Sequence, residues 1–311
     1  MKHKMSYIFF LLFLFFTIPY LITVSMNQRK EKQEIDFSTY DSGYKVETGQ
    51  GSMDLEAYLL GILPSQISMD DEEEALKAQA VILRTDILRR MGTEKTINEK
   101  KLPYQYQTDQ ELHDTLGNKK FSLKDQVRKR VVGETLGKVI TYKNKYIEPY
   151  FHEISVGTTL SGKEWFGKEI PYLKEKDSVD DIEAPEYMTV KLVSYKQIID
   201  TIQKYKKVEV KQEELRKKLV LKTTTKNGYV KQVQAADYVI SGQTWAQWFQ
   251  LASNNFYLED YDGKIRIICL GKGNGLGMSQ YGANEMAKNK KNYKKILKYY
   301  YRAVEIKDVN E

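Results

Sequence analysis

Apolar residues that recur every three or four positions mark one helix with unusual regularity. The pattern runs over 76–91, and Gly92 follows it as a helix-ending residue. Asp70, with Glu73 three residues later, gives the start the form of a capping box. The apolar stripe consists of Leu76, Ala80, Leu83, Ile87 and Met91. Three polar residues fall outside the stripe, so the pattern places them toward solvent or a cleft; they are Lys77, Gln79 and Arg84.

Five shorter helices are predicted around this one. Residues 54–63 form a short helix that Pro64 should end, because the proline ring disfavours helical backbone at the residue before it. A capped helix is predicted over 194–205 and another over 241–252. Two short helices finish the chain, the second opened by Asn292.

Alternating and β-branched stretches predict strands between these helices. One hairpin covers 139–151, and a second covers 219–233 with its turn at Asn227 and Gly228, a pair suited to a type I′ turn. Residues 264–270 alternate as a single strand. Helices and hairpins together predict an α+β fold with mixed, mostly antiparallel sheets and flanking helices.

A glycine-rich stretch, 271–277, follows the last predicted strand. It lacks the third glycine of a dinucleotide-binding motif, because position 276 is Leu. Its alternating glycines instead favour a backbone that passes close to a neighbouring element or to a glycan.

The first 26 residues differ from the rest in containing a long uncharged run. Lys2 and Lys4 precede the run of 7–25, which at about 1.5 Å per residue crosses most of a hydrocarbon core of about 30 Å. We expect one transmembrane helix, an uncleaved signal anchor over 1–26, because the sequence offers only a poor match to the small residues that precede a signal-peptide cleavage site. The sequence leaves cleavage open. The basic start favours a single-pass protein of the cytoplasmic membrane with its bulk on the extracytoplasmic side.

The remaining residues divide into three parts. A polar linker is predicted over 27–52, one folded domain over 53–305 and a short tail over 306–311. The chain has 311 residues, of which 41% are hydrophobic, so it can bury a sizeable core.

The amino-acid composition limits which metal sites, disulfides and binding partners the chain can have. A single cysteine, Cys269, excludes an intrachain disulfide and a multi-cysteine zinc site, and three histidines make a histidine metal centre unexpected, so we expect no metal and no cofactor. A net charge of +7 suggests an anionic partner such as nucleic acid, membrane headgroups or a cell-wall polymer. The predicted anchor argues against nucleic acid.

Three segments together resemble the stage II sporulation protein D family, which also includes the amidase-enhancer proteins of bacterial cell walls. The first, 58–85, contains YLLGILPSQ and EALKAQAVILRT; the second, 149–173, contains PYFHEISVG; the third, 271–300, contains GKGNGLGMSQYGANEMA. The resemblance covers about 54–303, nearly all of the predicted exported part.

The resemblance implies a membrane-anchored lytic transglycosylase that cuts peptidoglycan glycan strands during septal and forespore wall remodelling in engulfment. It implies glycan strands and the membrane as partners and leaves other engulfment or amidase proteins open as further ones. By position, the family's catalytic Glu falls on Gln66. The expected substrate-binding residues are Ser65, Lys77, Gln79, Arg84, His152, Ser155, Asn274, Ser279, Gln280 and Tyr281.

Gln66 leaves two hypotheses for the chemistry. In a lytic reaction the sugar's own hydroxyl attacks the anomeric carbon, so one proton-transferring carboxyl is enough, whereas an ordinary glycosidase uses two. An amide has no titratable proton and cannot replace this carboxyl as the proton donor. Either a substitute carboxylate from Glu72–Glu74 or Glu153 acts, or the chain is a catalytically inactive glycan-binding or scaffolding homologue. Two further positions, Asn274 and Lys298, depart from family histidines.

Overall fold

The computed structural model describes residues 13–15, 17–19 and 35–309. The chain divides after residue 40 into two compact units. In the first unit, residues 13–15 and 17–19 are helical, and most of the predicted anchor over 1–26 lies outside the described residues. No helix in the described part of the chain is long and apolar enough to cross a membrane.

The second unit mixes helices with short strands, which confirms the predicted α+β class. Its described helices are α1 (Leu55–Gln66), α2 (Glu73–Met91), α3 (Asp109–Leu116), α4 (Asn118–Glu134), α5 (Gly162–Phe166), α6 (Tyr195–Lys206), α7 (Gln212–Lys218), α8 (Gly242–Trp248), α9 (Gln280–Lys288) and α10 (Tyr293–Tyr300). Single 3₁₀ turns occupy Glu99–Lys101 and Val179–Glu183.

The strands are equally short and, within the residues that the structure describes, form five small sheets. They are β1 (Lys45–Thr48), β2 (Gly51–Asp54), β3 (Thr96–Asn98), β4 (Lys138–Tyr142), β5 (Lys145–Tyr146), β6 (Phe151–His152), β7 (Met188–Ser194), β8 (Val220–Thr224), β9 (Val230–Ala235), β10 (Tyr238–Ser241), β11 (Phe256–Tyr261), β12 (Lys264–Leu270), β13 (Met278–Ser279) and β14 (Glu305–Asp308). The sheet orders are β2-β1-β3, β14-β4-β5, β13-β6, β11-β12-β7 and β10-β9-β8. Pairing is antiparallel except between β1 and β3 and between β6 and β13.

Helix α1 begins where expected but passes through its proline. Asp54 caps it by accepting the Glu56 N–H at 2.9 Å. The prediction that Pro64 ends the helix is wrong, because α1 continues to Gln66. A proline inside a helix leaves the carbonyl four residues earlier without its N–H donor. Here that carbonyl belongs to Leu60, and Arg128 of α4 donates Nη1 to it at 3.2 Å.

Helix α2 ends as predicted and begins differently. Gly92 follows it with a φ of 66°, the left-handed conformation that glycine adopts freely. The predicted capping box at Asp70 is wrong: the residue at the N-cap is Glu72, which makes no side-chain capping bond. Asp70 instead pairs with Lys124 of α4.

The same helix is buried on nearly every side, because α1, α4, β4, α9 and α10 all pack against it. Of the two placements predicted for its polar residues, toward solvent or toward a cleft, the first is therefore wrong. Gln79 and Arg84 are completely buried, and Lys77 is buried as well. A helix surrounded by other elements has no solvent face for an amphipathic pattern to mark.

Both predicted hairpins exist, with different geometry. Strands β4 and β5 join at Lys143 and Asn144, whose φ values of 50° and 60° suit a type I′ turn. The second strand stops at Tyr146, because Phe151 and His152 pair with β13 in another sheet.

The hairpin of β8 and β9 turns through three residues rather than through a two-residue type I′ turn. The Gly228 N–H bonds to the Thr225 carbonyl at 3.0 Å. Gly228 has a φ of 85°, and Asn227 does not share the left-handed conformation. A type I turn followed by a left-handed glycine fits this arrangement.

Strands extend the folded body beyond the predicted domain limits. β1 and β2 lie in or at the edge of the predicted linker, and β14 occupies half of the predicted tail. β1 pairs with β3, and β14 pairs with β4. Such short strands gain their partners from distant parts of the chain, so the local sequence carries little signal for them.

Candidate functional site

Gln280, the first residue of α9, joins the first and third of the segments that the sequence singles out. Its side-chain amide Nε2 donates to the Gln66 carbonyl at 2.6 Å and to Gln79 Oε1 at 3.1 Å. The residue before it, Ser279, pairs in register with His152. The contacts therefore bring together the end of α1, the middle of α2, the strand of His152 and the glycine-rich loop.

Gln66 lies at the last position of α1 and is half-buried. Its side-chain amide donates to Ser65 Oγ at 3.0 Å, and Ser65 Oγ in turn contacts the Gln105 carbonyl at 2.7 Å. The Ser65 hydroxyl is therefore engaged in hydrogen bonds within the protein. The Gln66 amide oxygen accepts no hydrogen bond among the described residues and can receive one from a sugar hydroxyl or amide.

Glycines allow the third segment to lie against the strand of His152. A Cβ on Gly277 would lie 1.7 Å from the Tyr150 carbonyl oxygen, and one on Gly273 would lie 2.8 Å from the His152 Cβ. Both glycines also have φ values in the left-handed region. The prediction that alternating glycines let the backbone pass close to a neighbour is confirmed.

His152 is buried and faces the glycine-rich loop. Its Nδ1–H donates to the Leu276 carbonyl at 2.9 Å, which leaves Nε2 as the unprotonated nitrogen, buried and without a described partner. Burial lowers the pKa of His152, an effect that the bond to Leu276 and the charge of Asp181 oppose. The ring is therefore neutral at neutral pH.

Ser155 and Asp181 continue the buried polar cluster behind the strand. The Ser155 N–H donates to Asp181 Oδ2 at 2.6 Å, and the Gly157 N–H donates to Ser155 Oγ at 3.2 Å. Both Ser155 and Asp181 are completely buried. The structure places Ser155 beneath the surface, where its hydroxyl stabilises the turn.

The remaining expected residues of the third segment lie at the start of α9 and in the loop before it. Ser279 is buried and caps α9 by accepting the Gly282 N–H at 3.2 Å. Half-buried Asn274 accepts the Leu276 N–H at 3.0 Å, which folds the loop. The Tyr281 N–H donates to the Glu153 carbonyl at 3.0 Å, and its ring is half-buried.

Two expected residues of α2 have their polar groups engaged inside the protein. Lys77 contacts Glu74 at 2.6 Å and Glu134 at 2.7 Å. Burial would lower the pKa of Lys77, but its hydrogen bonds to the two carboxylates raise that pKa above its usual value. Arg84 makes an ion pair with Glu56 at 2.6 Å in which both side chains are 1% exposed. In this conformation Arg84 does not reach the surface.

The loop between α1 and α2, residues 67–72, runs beside α9 and supplies a residue that sequence reasoning missed. The Glu72 N–H donates to Asn284 Oδ1 at 2.8 Å, and Lys124 Nζ donates to the Met69 carbonyl at 2.6 Å. Asp71 sits half-buried between these attachments. Burial raises the pKa of Asp71 to about 6, and Asp70 adds to the increase while Lys288 and Lys124 oppose it.

The carboxylates proposed as substitutes differ in their surroundings. Glu73 pairs with Arg130, and Glu74 pairs with Lys77. Glu153 is exposed and contacts Lys272 at 2.7 Å. Within the described residues, no group of three or more His, Cys, Asp or Glu side chains could hold a metal ion.

Comparison with known proteins gives a family match and several relatives. The family model described as "Stage II sporulation protein" matches residues 45–142. The chain is 31% identical over 269 residues to stage II sporulation protein D of Bacillus subtilis strain 168, covering 82% of this chain and 75% of the relative. It is 29% identical over 282 residues to the protein of the same name from Bacillus amyloliquefaciens, covering 86% and 77%. A protein of Brachyspira hyodysenteriae is 29% identical over 261 residues, covering 83% and 68%.

Proposed function

Because the chain belongs to the stage II sporulation protein D family, we propose that it acts on peptidoglycan glycan strands in the envelope of a sporulating cell. In this proposal the N-terminal segment anchors it in the cytoplasmic membrane, and the folded body works on the outer side. The strand-binding surface consists of Gln66, the 67–72 loop, Glu153 and the first turn of α9, and is called the junction surface below.

One observation carries the proposal: two consecutive residues connect all three matched segments, because Gln280 hydrogen-bonds to the first segment and Ser279 pairs with the strand of the second. Segments far apart in sequence are thus held together, and their partly or fully exposed residues include the Gln66 amide, the Glu153 carboxylate and the half-buried ring of Tyr281. Amides and carboxylates recognise sugar hydroxyl and acetamido groups by hydrogen bonds, and an aromatic ring packs on a sugar face.

Charge near the junction surface suits an anionic wall. Helices α9 and α10 and their connection carry six exposed lysines, Lys288, Lys290, Lys291, Lys294, Lys295 and Lys298. Of these, Lys288 pairs with Glu285 at 2.6 Å. A patch of exposed like charges attracts polyanions at low ionic strength and is screened by salt.

A second candidate function keeps the binding and omits the reaction. Gln66 occupies the position at which the family resemblance implies a catalytic Glu, and the amide cannot donate a proton. A glycan-binding scaffold in the envelope would need the junction surface and no acid.

Binding of purified glycan strands tests the proposal directly. Full-length protein in mild detergent is sedimented with sacculi stripped of stem peptides, and the bound fraction is measured against salt concentration. We expect binding that weakens with salt, and about tenfold weaker binding by Tyr281→Ala because stacking is lost. Tyr261→Ala, at an exposed tyrosine on β11, is the matched control and should bind as wild type does. Absence of binding by a folded wild-type protein would refute the proposal.

A further inference from the structure

A cleavage reaction at the junction surface needs a carboxyl that holds a proton, and Gln66 does not supply one. The neighbouring acidic side chains can be sorted by their partners. An acid in an ion pair is held in its charged form, because the opposite charge stabilises the carboxylate. Only an unpaired carboxyl that is partly removed from water keeps its proton near neutral pH.

Most acids around the junction surface are paired. Asp70 pairs with Lys124, Glu73 with Arg130, Glu74 with Lys77, Glu153 with Lys272 and Glu285 with Lys288. Glu72 is exposed to solvent. Asp181 is buried behind the strand of His152 and accepts the Ser155 N–H.

Asp71 differs from all of these. No hydrogen bond or ion pair in the described part of the chain reaches its carboxyl, and the side chain is half-buried. Its own N–H bonds to the Ser68 carbonyl at 3.1 Å, which closes a turn in the loop. The carboxyl is therefore free to meet a ligand.

The two ends of the loop fix Asp71 beside the matched segments. At one end Gln280 binds the Gln66 carbonyl, and at the other Asn284 binds the Glu72 N–H. Gln280 and Asn284 are four residues apart on α9, about 6 Å at 1.5 Å per residue. The backbone on either side of Asp71, at Gln66 and at Glu72, is thus attached to one short stretch of α9.

We infer that Asp71 is the proton donor for cleavage of the glycan strand. It would act in place of the Glu that the family resemblance implies at the position of Gln66. The inference rests on the proposed function and names the group that would make it catalytic. Gln66 then has the role of a hydrogen-bonding residue that orients the strand.

The step balances without water or any co-reactant. The Asp71 carboxyl gives its proton to the glycosidic oxygen, and the bond between that oxygen and the anomeric carbon breaks. The sugar's own hydroxyl oxygen forms a new bond to the anomeric carbon, and its proton passes to the Asp71 carboxylate. The products are a shortened strand and an anhydro-ended sugar, and Asp71 is protonated again.

The electrostatic surroundings support this role. A pKa of about 6 keeps part of the Asp71 population protonated near neutral pH, which a general acid requires. The charged groups that face it are Lys288 of α9, Lys124 of α4 and Asp70 of its own loop. Burial outweighs the two lysines, so the pKa remains raised.

Product analysis with stripped sacculi tests the inference. Full-length wild-type protein is incubated with the sacculi, and soluble anhydro-ended saccharides are quantified by mass spectrometry while the bound fraction is measured in parallel. We expect product from wild type, a loss of about 10² or more in rate for Asp71→Asn with binding retained, and partial recovery in Asp71→Glu. The wild-type rate should fall as the pH rises above about 6.

Matched variants separate the possible failures. Asp237→Asn removes an exposed carboxylate in the β9–β10 turn, outside the junction surface, and should keep the wild-type rate. Wild type that binds strands and yields no product would overturn the inference and leave the proposed function intact. Equal rates for wild type and Asp71→Asn would also overturn it. Neither binding nor product from folded protein would refute the proposed function itself.

Discussion

The ion pair between Arg84 of α2 and Glu56 of α1 offers a quantitative test of how the core is held. Both side chains are 1% exposed. The guanidinium meets the carboxylate through two bonds, Nε to Oε1 at 2.7 Å and Nη2 to Oε2 at 2.6 Å. Nη1 donates to the Lys138 carbonyl at 3.1 Å, so the same residue also ties α2 to β4.

Replacing Arg84 with Ala leaves the Glu56 carboxylate in the core. The Gly137 N–H, 3.3 Å away, is then a weak remaining donor to it. Removing one partner of a buried ion pair costs about 3–5 kcal/mol, because an uncompensated charge stays buried. We expect the free energy of unfolding to fall by that amount in Arg84→Ala. The double variant Glu56→Gln with Arg84→Met should recover most of the loss, because it leaves no buried charge.

Urea unfolding followed by tryptophan fluorescence and circular dichroism measures these differences. Lys196→Ala is the control, because Lys196 pairs with Asp200 on the exposed face of α6, and it should change the free energy of unfolding by less than about 0.5 kcal/mol. A loss below about 1 kcal/mol for Arg84→Ala would refute the reasoning. A stable Arg84→Ala that no longer binds glycan strands would instead support the substrate-binding role that the family resemblance implies.

Three further outcomes follow from the structure. Gly277→Ala should lower the free energy of unfolding by more than about 3 kcal/mol, since its Cβ would lie 1.7 Å from a carbonyl oxygen. Gly167→Ala, which has a similar φ but open space around the added Cβ, should lower it by only about 1 kcal/mol. Equal losses for the two variants in urea unfolding would contradict this. Asp71→Asn should stabilise the protein by about 1–2 kcal/mol at pH 7.5 and not at pH 4. A folded pKa of about 6 against 3.8 means that the Asp71 carboxyl costs stability progressively as the pH rises from 3.8 to 6; the full difference of about 3 kcal/mol is reduced by partial exposure, and a gain at both pH values would contradict this. The imidazole signals of His152 in a nuclear magnetic resonance titration should stay constant from pH 8 to 6.5, since burial lowers the pKa of this residue. A titration midpoint at or above pH 6.5 would be inconsistent with a buried, neutral ring.

Features encoded locally could be predicted from the sequence. The helix caps at Ser194 and Asn292 are present, because a side chain that accepts a nearby N–H acts within one turn. The strand of β12 follows its alternating pattern, with Ile265 and Ile267 facing the core. Gly92 ends α2 for the same local reason.

Features that depend on distant partners could not be predicted. Pro64 stays inside α1 because Arg128, 64 residues later, replaces the missing donor. The polar face expected on α2 is absent because other elements surround that helix.

The candidate site likewise contains features that the sequence could predict and features that depend on distant partners. The three segments were recognisable by their resemblance to a family, and the structure shows how Ser279 and Gln280 join them. Asp71 was not separable from its neighbours, because the sequence shows five consecutive acids, 70–74, without their partners. Only the positions of Lys124, Arg130 and Lys77 reveal which acids are paired.

Hydrogen exchange measured by mass spectrometry, with and without glycan strands stripped of stem peptides, tests the central claim most directly. The account predicts that added strands slow exchange together in 65–72, 152–155 and 280–284, and leave β8–β10 unchanged. Protection confined to one of these segments, or to the β8–β10 sheet, would contradict a shared glycan-binding surface.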